Sequence, residues 1–94
     1  MRAALVEENR LGGTCLNLGC IPTKTLLKSA HCLESCRKAR SFGIDGVSHL
    51  SADLAAVQAR KERIVEQLAG AMQSRLSGIE YLCGRAEFLS KNQL

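Results

Sequence analysis

The tightest constraint on this chain is the run Gly12-Gly13-Thr14-Cys15-Leu16-Asn17-Leu18-Gly19-Cys20-Ile21-Pro22-Thr23-Lys24. It sets two cysteines five residues apart among three glycines and closes on a proline and a lysine. On a regular α-helix, five residues span about 7.5 Å at about 1.5 Å each and land on different faces. A disulfide tolerates no more than about 7 Å between Cα atoms. If the two sulfurs bridge, Cys15 stands on an irregular or distorted first turn, and Gly12, Gly13 and Gly19 supply the backbone freedom for it. A helix beginning near Gly13 or Thr14 turns its unpaired N–H groups and positive dipole end toward the sulfurs, which is expected to lower a thiol's pKa and make it nucleophilic. Pro22 has no N–H and leaves the carbonyl near Leu18 without a helical partner, which predicts a kink just beyond Cys20. The plainer reading of the same residues is two buried structural thiols.

The run from Gly12 to Lys24 resembles the active-site segment of the class I FAD-dependent pyridine nucleotide-disulfide oxidoreductases. Ile21-Pro22-Thr23-Lys24 is most similar to the dihydrolipoamide dehydrogenase branch, since glutathione reductases tend to carry two lysines after the proline. The resemblance implies a redox-active disulfide between Cys15 and Cys20. Cys15 would be the interchange thiol that meets a dithiol or disulfide substrate of the lipoamide type, and Cys20 the thiol against the flavin. Lys24 would lie near the flavin ring, while Gly12, Gly13, Thr14 and Cys15 would contact FAD. Thiol–disulfide exchange suits this pairing: a thiolate attacks a disulfide sulfur, and a second thiolate resolves the mixed disulfide.

Upstream, Ala3-Ala4-Leu5-Val6 is a short apolar run without alternation, as expected of a strand buried on both faces of a parallel sheet. Glu7 follows at its carboxyl end, and the resemblance implies that it binds the adenosine ribose of FAD. Only six residues precede Glu7. The glycine-rich Gly-x-Gly-x-x-Gly unit expected there is missing from the sequence, so the chain is read as an N-proximal fragment of an FAD-binding domain, with the NAD-binding and dimerisation domains absent. The pyrophosphate would then lose most of its backbone donors. The family's acid–base histidine and glutamate come from the partner subunit, and neither His31 nor His49 matches that motif. The isolated chain is therefore expected to be inactive, and the full-length protein to be an NAD-dependent homodimer.

From Gly13 the pattern reads as one helix to about Arg40, with Leu16, Cys20, Leu26, Leu27, Ala30 and Leu33 as its apolar stripe. Gly43 and Gly46 mark a loop. A second helix is expected from Ser51, its cap, to about Ser77, with Asp53 in the first turn and Leu54, Val57, Ile64, Val65, Leu68, Met72 and Leu76 on one face. The two helices suit an antiparallel pair. Gly78 ends the second, and 79–82 and 86–89 read as short extended segments, a strand pair or the start of a returning sheet. The fold class is thus α/β: a partial Rossmann-like domain of two long helices and short strands.

The 94 residues carry a net charge of +4, yet Lys and Arg are scattered without an aromatic-lined patch, which speaks against nucleic acid. No apolar run is long enough to span a membrane, and the N-terminus lacks a signal-peptide pattern, so a cytoplasmic location is expected. Five cysteines without such a signal suit one functional pair and three free thiols. His31, Cys32 and Cys36 invite a metal reading, but three ligands from one turn make a poor zinc site, and packed thiols explain the cysteines more simply. Cys83 is expected in the core. Two rivals stand beside the oxidoreductase: a glutathione- or mercuric-type reductase fragment, and a non-enzymatic thiol or metal-binding helical module.

Overall fold

The structure, a computed structural model, describes residues 2–94. In chain order it contains β1 (Ala4–Glu7), α1 (Gly13–Asn17), α2 (Cys20–Arg37), a 3-10 turn (Ala39–Phe42), α3 (Leu54–Arg75) and β2 (Glu80–Cys83). The strands pair in parallel, Ala4 opposite Glu80 through Glu7 opposite Cys83. A parallel pair needs a long crossover connection, and the helices provide it. The result is a long helix beside a short parallel strand pair, a partial α/β unit.

The expected first helix is divided. Leu18 closes α1, and Gly19, at φ −122° and ψ −109°, lies outside the helical region, so α2 restarts at Cys20. The break therefore falls before the second cysteine, and the kink expected beyond it is not there. Pro22 is the third residue of α2, within the turn whose N–H groups have no intrahelical partner, so its missing donor disturbs nothing. Downstream, α2 ends at Arg37, and Lys38 makes an ion pair with Glu34 one turn back.

Asp53 rather than Ser51 caps α3: its Oδ1 accepts from the Ala56 N–H at 3.0 Å. The Asp53 backbone is extended, as a capping residue requires, so the helix starts at Leu54. Gly78 follows at φ +91°, and Glu80–Cys83 then pairs with β1. The segment 86–89 forms no strand; beyond β2 there is an isolated bridge between Ser90 and Gln93. β1 is not buried on both faces either: Ala4 is exposed and Leu5 to Glu7 are half-buried, because a two-stranded sheet leaves each strand at an edge.

Few of the described residues are buried: Leu16 on α1, Thr25 on α2, Val65 on α3 and Ala39 in the 3-10 turn. Arg60 ties α3 to α2 by donating from Nη1 to the Thr25 carbonyl at 3.2 Å. The radius of gyration is 20.6 Å, against about 13 Å for a compact domain of about 100 residues. Apolar side chains are accordingly left on the surface, Leu54 at 73% exposure and Phe88 at 84% among them. Only part of the apolar stripe expected on α3 is covered. No helix among the described residues is long and apolar enough to cross a membrane.

Candidate redox site at the helix break

Two glycines make the break possible. Gly12 caps α1 at φ +110°, and a Cβ there would lie 2.8 Å from Leu16 Cβ and 2.9 Å from Leu16 Cγ. Leu16, the buried residue of α1, thus packs directly onto the backbone at Gly12. At the other end, a Cβ on Gly19 would sit 3.1 Å from the Thr14 carbonyl oxygen and 3.4 Å from Cys15 Cα. That close approach folds the start of α2 against α1 and carries Cys20 to Cys15.

Asn17 holds the loop ahead of α1. Its Nδ2 donates to the Leu11 carbonyl at 3.1 Å and the Gly13 carbonyl at 3.0 Å, while its Oδ1 is buried without a hydrogen-bond partner. Sequence reading passed over this residue. Its signal was an amide placed between two leucines, in the turn just before a glycine.

Cys15 and Cys20 are both exposed free thiols, which removes the reading of buried structural cysteines. The neighbouring Cys20 side chain is the first reason that the Cys15 pKa rises above the ordinary thiol value. Desolvation and the proximity of Cys20's charge add to the rise, while a hydrogen bond with the Cys20 backbone and the Lys24 ammonium oppose it. The lowered pKa expected from the helix terminus is therefore corrected for Cys15. The influence of the adjacent Cys20 side chain outweighs that of the positive charge nearby.

The other expected site residues divide between two cavities. Glu7, Gly13, Thr14 and Asn17 line one of about 740 Å³. Gly12 and Cys15 line another of about 420 Å³, walled by Leu16, Ile21, Leu68 and Met72. Lys24 is exposed on α2, one turn after Cys20. Glu7 ends β1, where its Oε1 accepts from the Asn9 N–H at 2.9 Å. A dinucleotide fits the chemistry of the larger cavity: a carboxylate at a strand end, a glycine backbone at φ +61° bare of side chain, a threonine hydroxyl and an amide with an unpartnered oxygen.

Outside this site, His31, Cys32 and Cys83 are exposed and Cys36 is half-buried. Cys83 is thus not in the core, since among the described residues β2 pairs with β1 alone. Among the described residues, no group of three or more His, Cys, Asp or Glu could hold a metal ion.

No protein-family model matches the chain. Among curated proteins, it is 43% identical over 93 residues to a dihydrolipoyl dehydrogenase of Bacillus subtilis, covering 96% of this chain and 20% of that protein. It is 36% identical over 95 residues to the dihydrolipoyl dehydrogenase of Acholeplasma laidlawii, covering 99% of this chain and 28% of that protein. The Chlamydia muridarum dihydrolipoyl dehydrogenase is 36% identical over 96 residues, covering all of this chain and 20% of that protein. The chain thus spans between a fifth and three-tenths of the length of these relatives.

A helix break that brings two thiols together, in a sequence matched across nearly its whole length, defines the class: the chain belongs to the pyridine nucleotide-disulfide oxidoreductases. Within that class it is most like dihydrolipoyl dehydrogenase.

Proposed function

We propose that Cys15 and Cys20 are the redox disulfide of a dihydrolipoyl dehydrogenase, passing an electron pair from a lipoamide-type dithiol toward FAD and NAD. The observation that carries the reading is the break at Leu18 and Gly19, where the Gly19 backbone lies against the Thr14 carbonyl and Cys15 Cα and so brings Cys20 beside Cys15. In the oxidised state, a substrate thiolate attacks Cys15 and breaks the Cys15–Cys20 bond, leaving Cys20 as the thiolate. The second substrate thiolate then displaces Cys15, so substrate sulfur is oxidised to a disulfide and both cysteines are reduced. FAD, when bound, accepts that electron pair. Glu7, Gly13 and Thr14 would hold it, with Gly12 beside them and Lys24 near the ring. Cys15 also borders the cavity walled by Ile21, Leu68 and Met72, which suits the aliphatic part of a lipoamide-type substrate.

The scaffold in this reading is part of a Rossmann-like FAD-binding domain, with α2 and α3 antiparallel. Three contacts support that arrangement: Ile21 shares a cavity with Leu68 and Met72, Thr25 bonds Arg60, and Cys36 shares a groove with Ala56 and Val57. The whole protein would be a cytoplasmic homodimer.

Anaerobic titration of the whole flavoprotein with dihydrolipoamide tests the proposal. Cys15→Ser and Cys20→Ser are each expected to abolish oxidation of the dithiol and reduction of the flavin by it, whereas Cys20→Ser alone should form a mixed disulfide at Cys15 when given oxidised lipoamide, whose ring disulfide the Cys15 thiolate opens. Turnover surviving both substitutions together would overturn it, and preferential turnover of glutathione disulfide would move the protein to another branch of the class.

A further inference from the structure

A second pair of cysteines lies away from this site. Cys32 and Cys36 are four residues apart on the uninterrupted α2, and both line a groove of about 360 Å³ between α2 and the start of α3. We propose that they form a soft-metal site that binds one monovalent d¹⁰ cation, Cu(I), between two thiolates.

Geometry separates this pair from Cys15 and Cys20. Residues four apart on a helix face the same side, with Cβ atoms about 5–6 Å apart. A disulfide needs a Cβ separation of about 3.5–4.5 Å, so a direct S–S bond would require α2 to distort. A bridging ion removes that demand. Two metal–thiolate bonds of roughly 2.3 Å, the length seen with zinc, separate the sulfurs by roughly twice that distance. The helix can then stay regular.

The ligand set selects the ion. Thiolates favour soft cations such as Cu(I), whereas a structural zinc ion takes four ligands, and no third metal-binding side chain joins this pair among the described residues. The surroundings agree. Leu33, Leu50 and Val57 make the groove largely apolar, and Cys36 is half-buried in it. Binding converts two thiols and one Cu(I) into an anionic bis-thiolate with release of two protons, so affinity rises with pH. Arg60, fixed by its bond to the Thr25 carbonyl, and Asp53 both line the same groove, so its own charged side chains are of opposite sign.

The test uses the full chain with Cys15→Ala and Cys20→Ala, so that its outcome is independent of the redox proposal. Titration with Cu(I) against a chromogenic Cu(I) chelator is expected to show one ion retained per chain, two protons released, and loss of that retention on Cys32→Ser or Cys36→Ser. An arm without substitutions holds Cys15 and Cys20 oxidised and maps alkylation by mass spectrometry: Cu(I) should protect Cys32 and Cys36 together and leave Cys83 reactive. Retention that survives both serine substitutions, protection that falls on Cys83 instead, or zinc binding as tight as copper would each overturn the site.

Discussion

The two cysteine pairs share a helical segment and differ in one property, the continuity of the backbone between them. Cys15 and Cys20 are separated by more residues than Cys32 and Cys36, yet it is their side chains that lie close enough for one to raise the other's pKa. The reason is Gly19, which interrupts the helix and lets the start of α2 lie against the Thr14 carbonyl. Along α2 nothing interrupts, and Cys32 and Cys36 keep the spacing that the helix dictates. Sequence separation therefore says little about sulfur proximity until the backbone between the thiols is known.

Breaking the first pair's support should have the largest effect. Gly12→Val combines a β-branched side chain at φ +110° with an overlap at Leu16 Cβ, which side-chain rotation cannot relieve. It is expected to destabilise the chain by about 3 kcal/mol or more, read from the denaturant midpoint. Asn17→Leu removes both donors to the loop at residues 11–13 and should lower stability by about 1–3 kcal/mol, with faster amide exchange confined to that loop. Arg60→Ala, which touches the second pair's groove and leaves the first pair's break intact, should lower stability by about 1 kcal/mol in the same assay.

A pH measurement sharpens the comparison further. The Cys15 thiol holds its proton to higher pH than an ordinary thiol, chiefly through the neighbouring Cys20 side chain. In the reduced chain, its alkylation by iodoacetamide should therefore rise at higher pH than that of a free cysteine. Cys20→Ala removes the cause and should move the profile to lower pH, whereas Lys24→Gln removes a lowering charge and should move it higher. Identical profiles in all three proteins would mean that the two sulfurs do not interact.

Much of this was legible in the residues. A bridge between Cys15 and Cys20 would demand an irregular backbone, and Ala3 to Val6 read as a strand, which the structure places at Ala4–Glu7 in a parallel pair. The position of the break was not legible, because Pro22 draws attention as a helix breaker while its place in the first turn of α2 makes it harmless. Asp53 and Ser51 are both good caps, and only the backbone conformation chooses between them. The burial of β1 and Cys83 was overestimated for a common reason. An apolar run records the ability to be covered, and the cover depends on neighbours that sequence pattern does not show.

Oxidation of the chain followed by peptide mapping tests the central claim most directly. Mild oxidant is expected to join Cys15 to Cys20 first, with Cys32, Cys36 and Cys83 still open to alkylation. A Cys32–Cys36 disulfide forming ahead of it, or Cys15 and Cys20 both remaining free, would contradict the account.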